Sequence, residues 1–156
     1  MPDDTTLDLG GRLDTDLKDA LRAGQKVRLG AIRRARAALR NAEIEARGEL
    51  SEDQAARVVR GLVKQHRESI DQFQAAGRED LVAKETEEMA VLQGYLPAEM
   101  DDAAITAVVS EAIAAEGASG PADLGRVMKA AMPRVAGRAD GKHVRAIAQG
   151  LLEGGA

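Results

Sequence analysis

The sequence predicts an all-α chain: an N-terminal bundle of about four helices, residues 1–96, followed by a small three-helix domain, residues 97–156. Three observations carry this. Apolar residues recur at helical spacing nearly throughout, and no β-branched alternating run appears. The apolar set is mostly Ala, Leu, Val and Ile, with Phe73 and Tyr95 the only rings, so the core must come from thin, closely spaced helices. Gly24, Gly48, Gly77 and Pro97 interrupt the periodicity where helices would stop.

A first helix carries Leu9, Leu13, Leu17, Ala20 and Leu21 on one face and stops near Gly24. A second runs from about Lys26 to Arg47, with Ala31, Ile32, Ala35, Ala38, Leu39, Ala42 and Ala46 as its stripe, and Gly48 ends it. Ser51 opens the third, with Gln54 returning the bond in a capping box. Its stripe is Val59, Leu62, Val63, His66, Ile70 and Phe73, and Gly77 supplies a left-handed stop. The fourth covers about Glu79 to Gly94 and buries Leu81, Val82, Met89 and Leu92.

Pro97 breaks the pattern and marks the domain boundary. Beyond it, Asp101 or Asp102 caps a helix burying Ile105, Val108, Val109, Ala112 and Ile113. Ser119 or Gly120, with Pro121 in the first turn, opens the next, where Leu124, Val127, Met128 and Ala131 face inward and Pro133 closes it. Asp140 caps the last, which buries Val144, Ile147, Ala148, Leu151 and Leu152.

Composition excludes several functions. With no cysteine there are no disulfides, thiolate metal sites or Cys nucleophiles. The acidic, polar N-terminal stretch MPDDTTLDLGGRLD reads as neither a signal nor a transit peptide. No apolar run approaches the roughly 20 residues of a membrane span. The expected localisation is therefore cytoplasmic, with no membrane partner. Two exposed rings at most rule out a base-stacking platform. The net charge of −4 confines any anion site to a local patch.

No catalytic set is legible, and neither a metal nor a cofactor is expected. His66 lies on the apolar stripe of the third helix and reads as a partly buried core histidine. Glu68 is two residues away, off that face, so the two make a poor metal pair. Glu87 and Glu88 read as a solvated face. The segment from Gly137 to His143 is similar to a P-loop, but it is one residue short between the glycines, has His143 where Ser or Thr should hold magnesium, and follows no strand.

Two groups of cations remain. From Pro97 to Asp123 the chain carries acids and no Lys or Arg. From Arg126 to Arg145 it carries Arg126, Lys129, Arg134, Arg138, Lys142 and Arg145, opposed only by Asp140. Lys142, His143 and Arg145 fall in the first turn of the last helix, where the macrodipole is already positive. An anion docked there would meet free N–H groups and cations together. Gly125, Gly137 and Gly141 would allow close backbone approach. The alternative is a relaxed turn at Gly141, with the cations reaching solvent or Asp140. The second group is Arg33, Arg36 and Arg40 on one face of the second helix, with Glu43 placed to pair with Arg47; a solvated face is the plain reading of such a stripe.

The residues from Lys64 to Phe73, Ala76 to Leu81, Lys84-Glu85, and Tyr95-Leu96-Pro97 resemble the YqeY family signature, as do Asp123 to Lys129, Met132 to Val135 and Gly137 to Gly141. With Ile32-Arg33 and Asn41 to Ile44, the resemblance covers nearly the whole chain. Its last third is also similar to the tail domain of the amidotransferase subunit GatB. The resemblance implies a helical bundle followed by a three-helix GatB-tail-like domain. It further implies association with a carbon–nitrogen ligase using glutamine as amido donor. GatB's large catalytic domain has no counterpart here. The function expected is thus a stand-alone module that binds tRNA, or a tRNA-amidotransferase complex, through Arg126, Lys129, Arg134, Arg138, Lys142, His143 and Arg145. The alternatives are an adaptor docking an aminoacyl-tRNA synthetase or amidotransferase, and an auxiliary ligase subunit.

Overall fold

A computed structural model describes residues 8–154. The first half of the acidic N-terminal stretch lies outside them. Among the described residues there are seven α-helices and no strand: α1 (Leu9–Arg22), α2 (Lys26–Ala46), α3 (Glu52–Ala75), α4 (Glu79–Gln93), α5 (Asp102–Glu116), α6 (Leu124–Val135) and α7 (Gly141–Gly154). The chain is all-α, as its periodicity predicts. Its contacts fall into two units, Met1–Pro97 and Ala98–Ala156.

In the first unit, α1 packs on α2, α2 on α4 and α3, and α3 most extensively on α4. Leu13, Ile32, Val59 and Leu92 are fully enclosed at the centre. Asp8 starts α1 by accepting the Gly11 N–H at 2.6 Å. Ser51 starts α3 in a full capping box with Gln54. Leu21 departs from the expected stripe and is 59% exposed. It lies one residue, and so about 100° of helix rotation, past the buried Ala20. Ala46 is exposed too. Beyond Leu39 only Ala42 is even half-buried, so α2 outruns the helices that cover it.

Four of the helix ends share one device. After α1, α3 and α5 the chain turns through Gly24, Gly77 and Gly117 in left-handed conformation, with the paired backward bonds of a Schellman motif. The same motif ends α2, but Arg47, not Gly48, takes the left-handed position, with φ 56°. The Gly48 N–H bonds Glu43 C=O and the Arg47 N–H bonds Ile44 C=O, both at 3.2 Å. The expected ion pair of Glu43 with Arg47 is absent among the described residues, because Arg47 has left the helix.

Tyr95 closes the first unit. Its ring is buried, its hydroxyl donates to Asp16 Oδ2, and Arg12 lies over it at 5.1 Å from the centroid.

In the second unit α5, α6 and α7 each contact the other two. Ile105, Val109, Val127, Val135, Val144 and Ala148 form its core. Asp101 caps α5, accepting the Ala104 N–H at 2.8 Å. A 3-10 turn, Pro121–Asp123, leads into α6. Neither Ser119 nor Gly120 caps there with a side chain; Asp123 reaches back and accepts the Ser119 N–H at 3.0 Å. Pro133 does not end α6, which continues to Val135. Proline deletes only one helical bond, that to the Lys129 carbonyl, and the fully buried Val135 holds the final turn on the core.

Candidate functional site

Folding pairs much of the charge that the sequence leaves segregated in the second unit. Arg126 Nη2 donates to Asp123 Oδ1 at 2.8 Å. The Ser119 N–H and then Arg126 hold the Asp123 carboxyl below its ordinary range. Arg134 Nη2 pairs with Glu111 Oε2. His143 Nε2 meets Asp102 Oδ1 at 2.6 Å. Arg138 clamps the start of the unit: its Nε donates to Ala98 C=O at 3.0 Å and its C=O accepts the Met100 N–H at 2.8 Å. Asp140 Oδ1 accepts the Lys142 backbone N–H at 3.2 Å and leaves the ammonium alone. Of the seven expected cations, Lys129, Lys142 and Arg145 therefore keep side chains without a hydrogen-bond or ion-pair partner among the described residues. All three are exposed. Lys142 is the second residue of α7 and Arg145 the fifth, just past the first turn.

The three glycines separate. Gly137 has φ 75°, so the turn after α6 itself requires it. A methyl group at Gly125 would meet nothing within 4 Å, and one at Gly141 would touch Met132 Cε at an ordinary 3.8 Å. Neither is dictated by the chain's own packing.

On α2, Arg33, Arg36 and Arg40 line a cleft of about 390 Å³ together with Gly10, Asp14 and Glu43. Arg36 Nε donates to Asp14 Oδ1 at 2.7 Å. Arg33 and Arg40 have no ion-pair partner among the described residues. Arg34 turns away and donates to Gln65 at 3.1 Å.

A third group was not assembled by the sequence reading. His66 is completely enclosed, not partly buried. Its Nδ1 lies 2.6 Å from Glu85 Oε2 and 3.9 Å from Glu88 Oε2. Glu88 is thus no part of a solvated face: its side chain is 16% exposed and that of Glu85 is 19% exposed. The legible signal was the spacing of three between Glu85 and Glu88, which puts both on one helix face. Their partner lies across the α3–α4 hairpin, nineteen residues from Glu85.

A family model for Yqey-like proteins matches residues 11–152. The chain is 35% identical over 132 residues to the altered inheritance of mitochondria protein 41, mitochondrial, of Pyrenophora tritici-repentis, covering 82% of this chain and 71% of that protein. It is 40% identical to the protein of that name in Eremothecium gossypii, covering 55% and 48%, and 35% identical to that of Saccharomyces cerevisiae RM11-1a, covering 54% and 46%. The chain spans about half the length of these last two relatives. Their names correct the expected cytoplasmic localisation, since each is called mitochondrial. That expectation rested on the acidic N-terminal stretch and the lack of a long apolar run, neither of which fixes a compartment. Among the described residues no helix is long and apolar enough to cross a membrane.

Proposed function

The chain belongs to the Yqey-like protein family, and on that premise we propose that it is a binding module for tRNA, or for a tRNA-processing complex, acting through the basic surface of its C-terminal unit. The observation that carries the reading is the state of Lys142 and Arg145. Both stand at the start of α7, exposed and without an ion-pair partner, where the helix dipole disfavours cations unless an anion arrives. Lys129 on α6 adds a third uncommitted charge. Arg126, Arg134 and His143 are tied to Asp123, Glu111 and Asp102 and contribute less, because binding through them must first break a pair. RNA would be held by phosphate and shape, since Tyr95 is buried and Phe73 belongs to α3 of the first unit, so the C-terminal unit offers no ring for stacking beyond its histidine.

A gel shift with total tRNA at rising salt tests this. The wild-type affinity should fall steeply with salt. Replacing Lys142 and Arg145 with Gln should weaken binding and flatten the plot of log affinity against log salt by about 0.7–0.9 for each lost phosphate contact. Binding that is absent at low salt, or unchanged in the double variant, would overturn the reading. A second reading, a protein adaptor, is favoured by Ile44, which is 67% exposed one turn beyond Arg40 on the α2 face. A synthetase or amidotransferase docking there would lose affinity on Ile44→Asp and not on the α7 substitutions.

A further inference from the structure

We infer that His66, Glu85 and Glu88 form a binding site for one divalent transition-metal ion of the zinc or manganese type. The three side chains offer donor atoms all within 4.8 Å of one another. They come from two packed helices, so the helical scaffold, not a loop, sets their spacing. Zinc binds imidazole nitrogen and carboxylate oxygen at about 2.0–2.2 Å, which places ligands of a tetrahedral ion about 3.4 Å apart. The Nδ1 distances to the two carboxylates, 2.6 Å and 3.9 Å, bracket that value. Glutamate rotamer adjustments of under an ångström would equalise them.

Charge favours the same conclusion. Two largely shielded carboxylates face one imidazole, so a neutral ring leaves two negative charges in a poorly hydrated place. Lys84 approaches Glu88 only at 4.0 Å, with 62% of its side chain in solvent. A divalent cation would offset both carboxylates at once. One imidazole and two carboxylates suit zinc, manganese or ferrous ions, and the absence of sulfur disfavours copper(I). The partly open carboxylate side leaves room for water as a further ligand. His66 Nε2 is buried with no hydrogen-bond partner. The ring therefore lacks the outer bond that usually orients a metal-bound histidine, so affinity should be about 10–100-fold below that of a site that has it.

The full chain, stripped with chelator, is titrated near neutral pH with zinc and separately with cobalt(II). Calorimetry reads stoichiometry, cobalt absorption reads coordination, and the ring-nitrogen NMR signals of His66 and His143 report which histidine is engaged. The expected result is one ion per chain, a shift at His66 with His143 unmoved, and affinity at least about 10-fold lower in Glu85→Gln and in Glu88→Gln. Failure to bind either ion, or binding that leaves the His66 signals unmoved, overturns the site and returns the cluster to a plain hydrogen-bonded histidine. Should a Gln variant fail to fold, the wild-type NMR titration decides alone.

Discussion

Tyr95 is the chain's only tyrosine, which makes its ionisation directly readable. Burial first, and then the Asp16 carboxylate that accepts its hydroxyl, raise its pKa well above the ordinary value of about 10. Below about pH 10 both the folded and the unfolded chain keep the phenol protonated, and the stabilisation is fully present. As pH rises further the unfolded chain ionises first, so stability is lost through the alkaline range. Phenolate absorbance should therefore appear together with loss of helicity, not before it. Free titration near pH 10 in an intact fold would contradict the burial argument. Tyr95→Phe should cost about 1 kcal/mol at neutral pH and should lessen the alkaline loss. Arg47 poses the opposite case. A non-glycine residue at φ 56° carries strain of about 1–2 kcal/mol, and its side chain is exposed. Arg47→Gly should raise stability by about 1 kcal/mol, measured by denaturant titration. No gain would mean that the Arg47 side chain returns an equal stabilisation.

Helix α7 joins stability to function at the scale of an element. A cation in its first turn, as at Lys142, is disfavoured by about 0.3–1 kcal/mol when exposed, and Arg145, just past that turn, by less. Neither Lys142 nor Arg145 has an ion-pair partner among the described residues to repay that cost. The Lys142→Gln, Arg145→Gln variant should therefore melt at the same temperature as the wild type or slightly higher, while binding tRNA less well. A lower melting temperature with unchanged tRNA affinity would make the cations structural and shift weight to the Arg33, Arg36 and Arg40 cleft. Gly125→Ala on α6 tests backbone approach separately. A methyl there meets nothing in the chain, and alanine favours helix by about 1 kcal/mol. A more stable protein with weaker tRNA binding is the expected outcome.

At the scale of the whole molecule, the two buried clusters share no residue. Ile105 is fully enclosed in the second. Ile105→Ala should cost the C-terminal unit about 2–5 kcal/mol. Amide exchange should quicken in α5, α6 and α7 and remain slow at the centre of α3. Equal quickening in α3 would show that the units unfold as one. By the same logic, residues 98–156 expressed alone should remain helical and melt cooperatively.

Much of the fold was legible because it depends on local rules. The spacing of Val59, Leu62, Val63 and His66 placed the inner face of α3, Ser51 and Gln54 announced its cap and Gly77 its end, and Gly24 marked the end of α1. The misreadings arose where distant packing overrode a local signal. Val135 carries α6 past Pro133, and α2 outruns its cover and exposes Ala46. The candidate sites divide in the same way. The sequence by itself determined which residues are charged, that Lys142 and Arg145 open the last helix, and that Glu85 and Glu88 share a face. Only the tertiary structure decided which charges meet. It set Glu111 against Arg134 and Asp102 against His143, offsetting part of a segment that reads as strongly basic and leaving Lys129, Lys142 and Arg145 uncommitted, and it brought Glu85 and Glu88 to an enclosed His66. Pairing of that kind depends on how helices cross, and no periodicity along a single helix encodes the crossing.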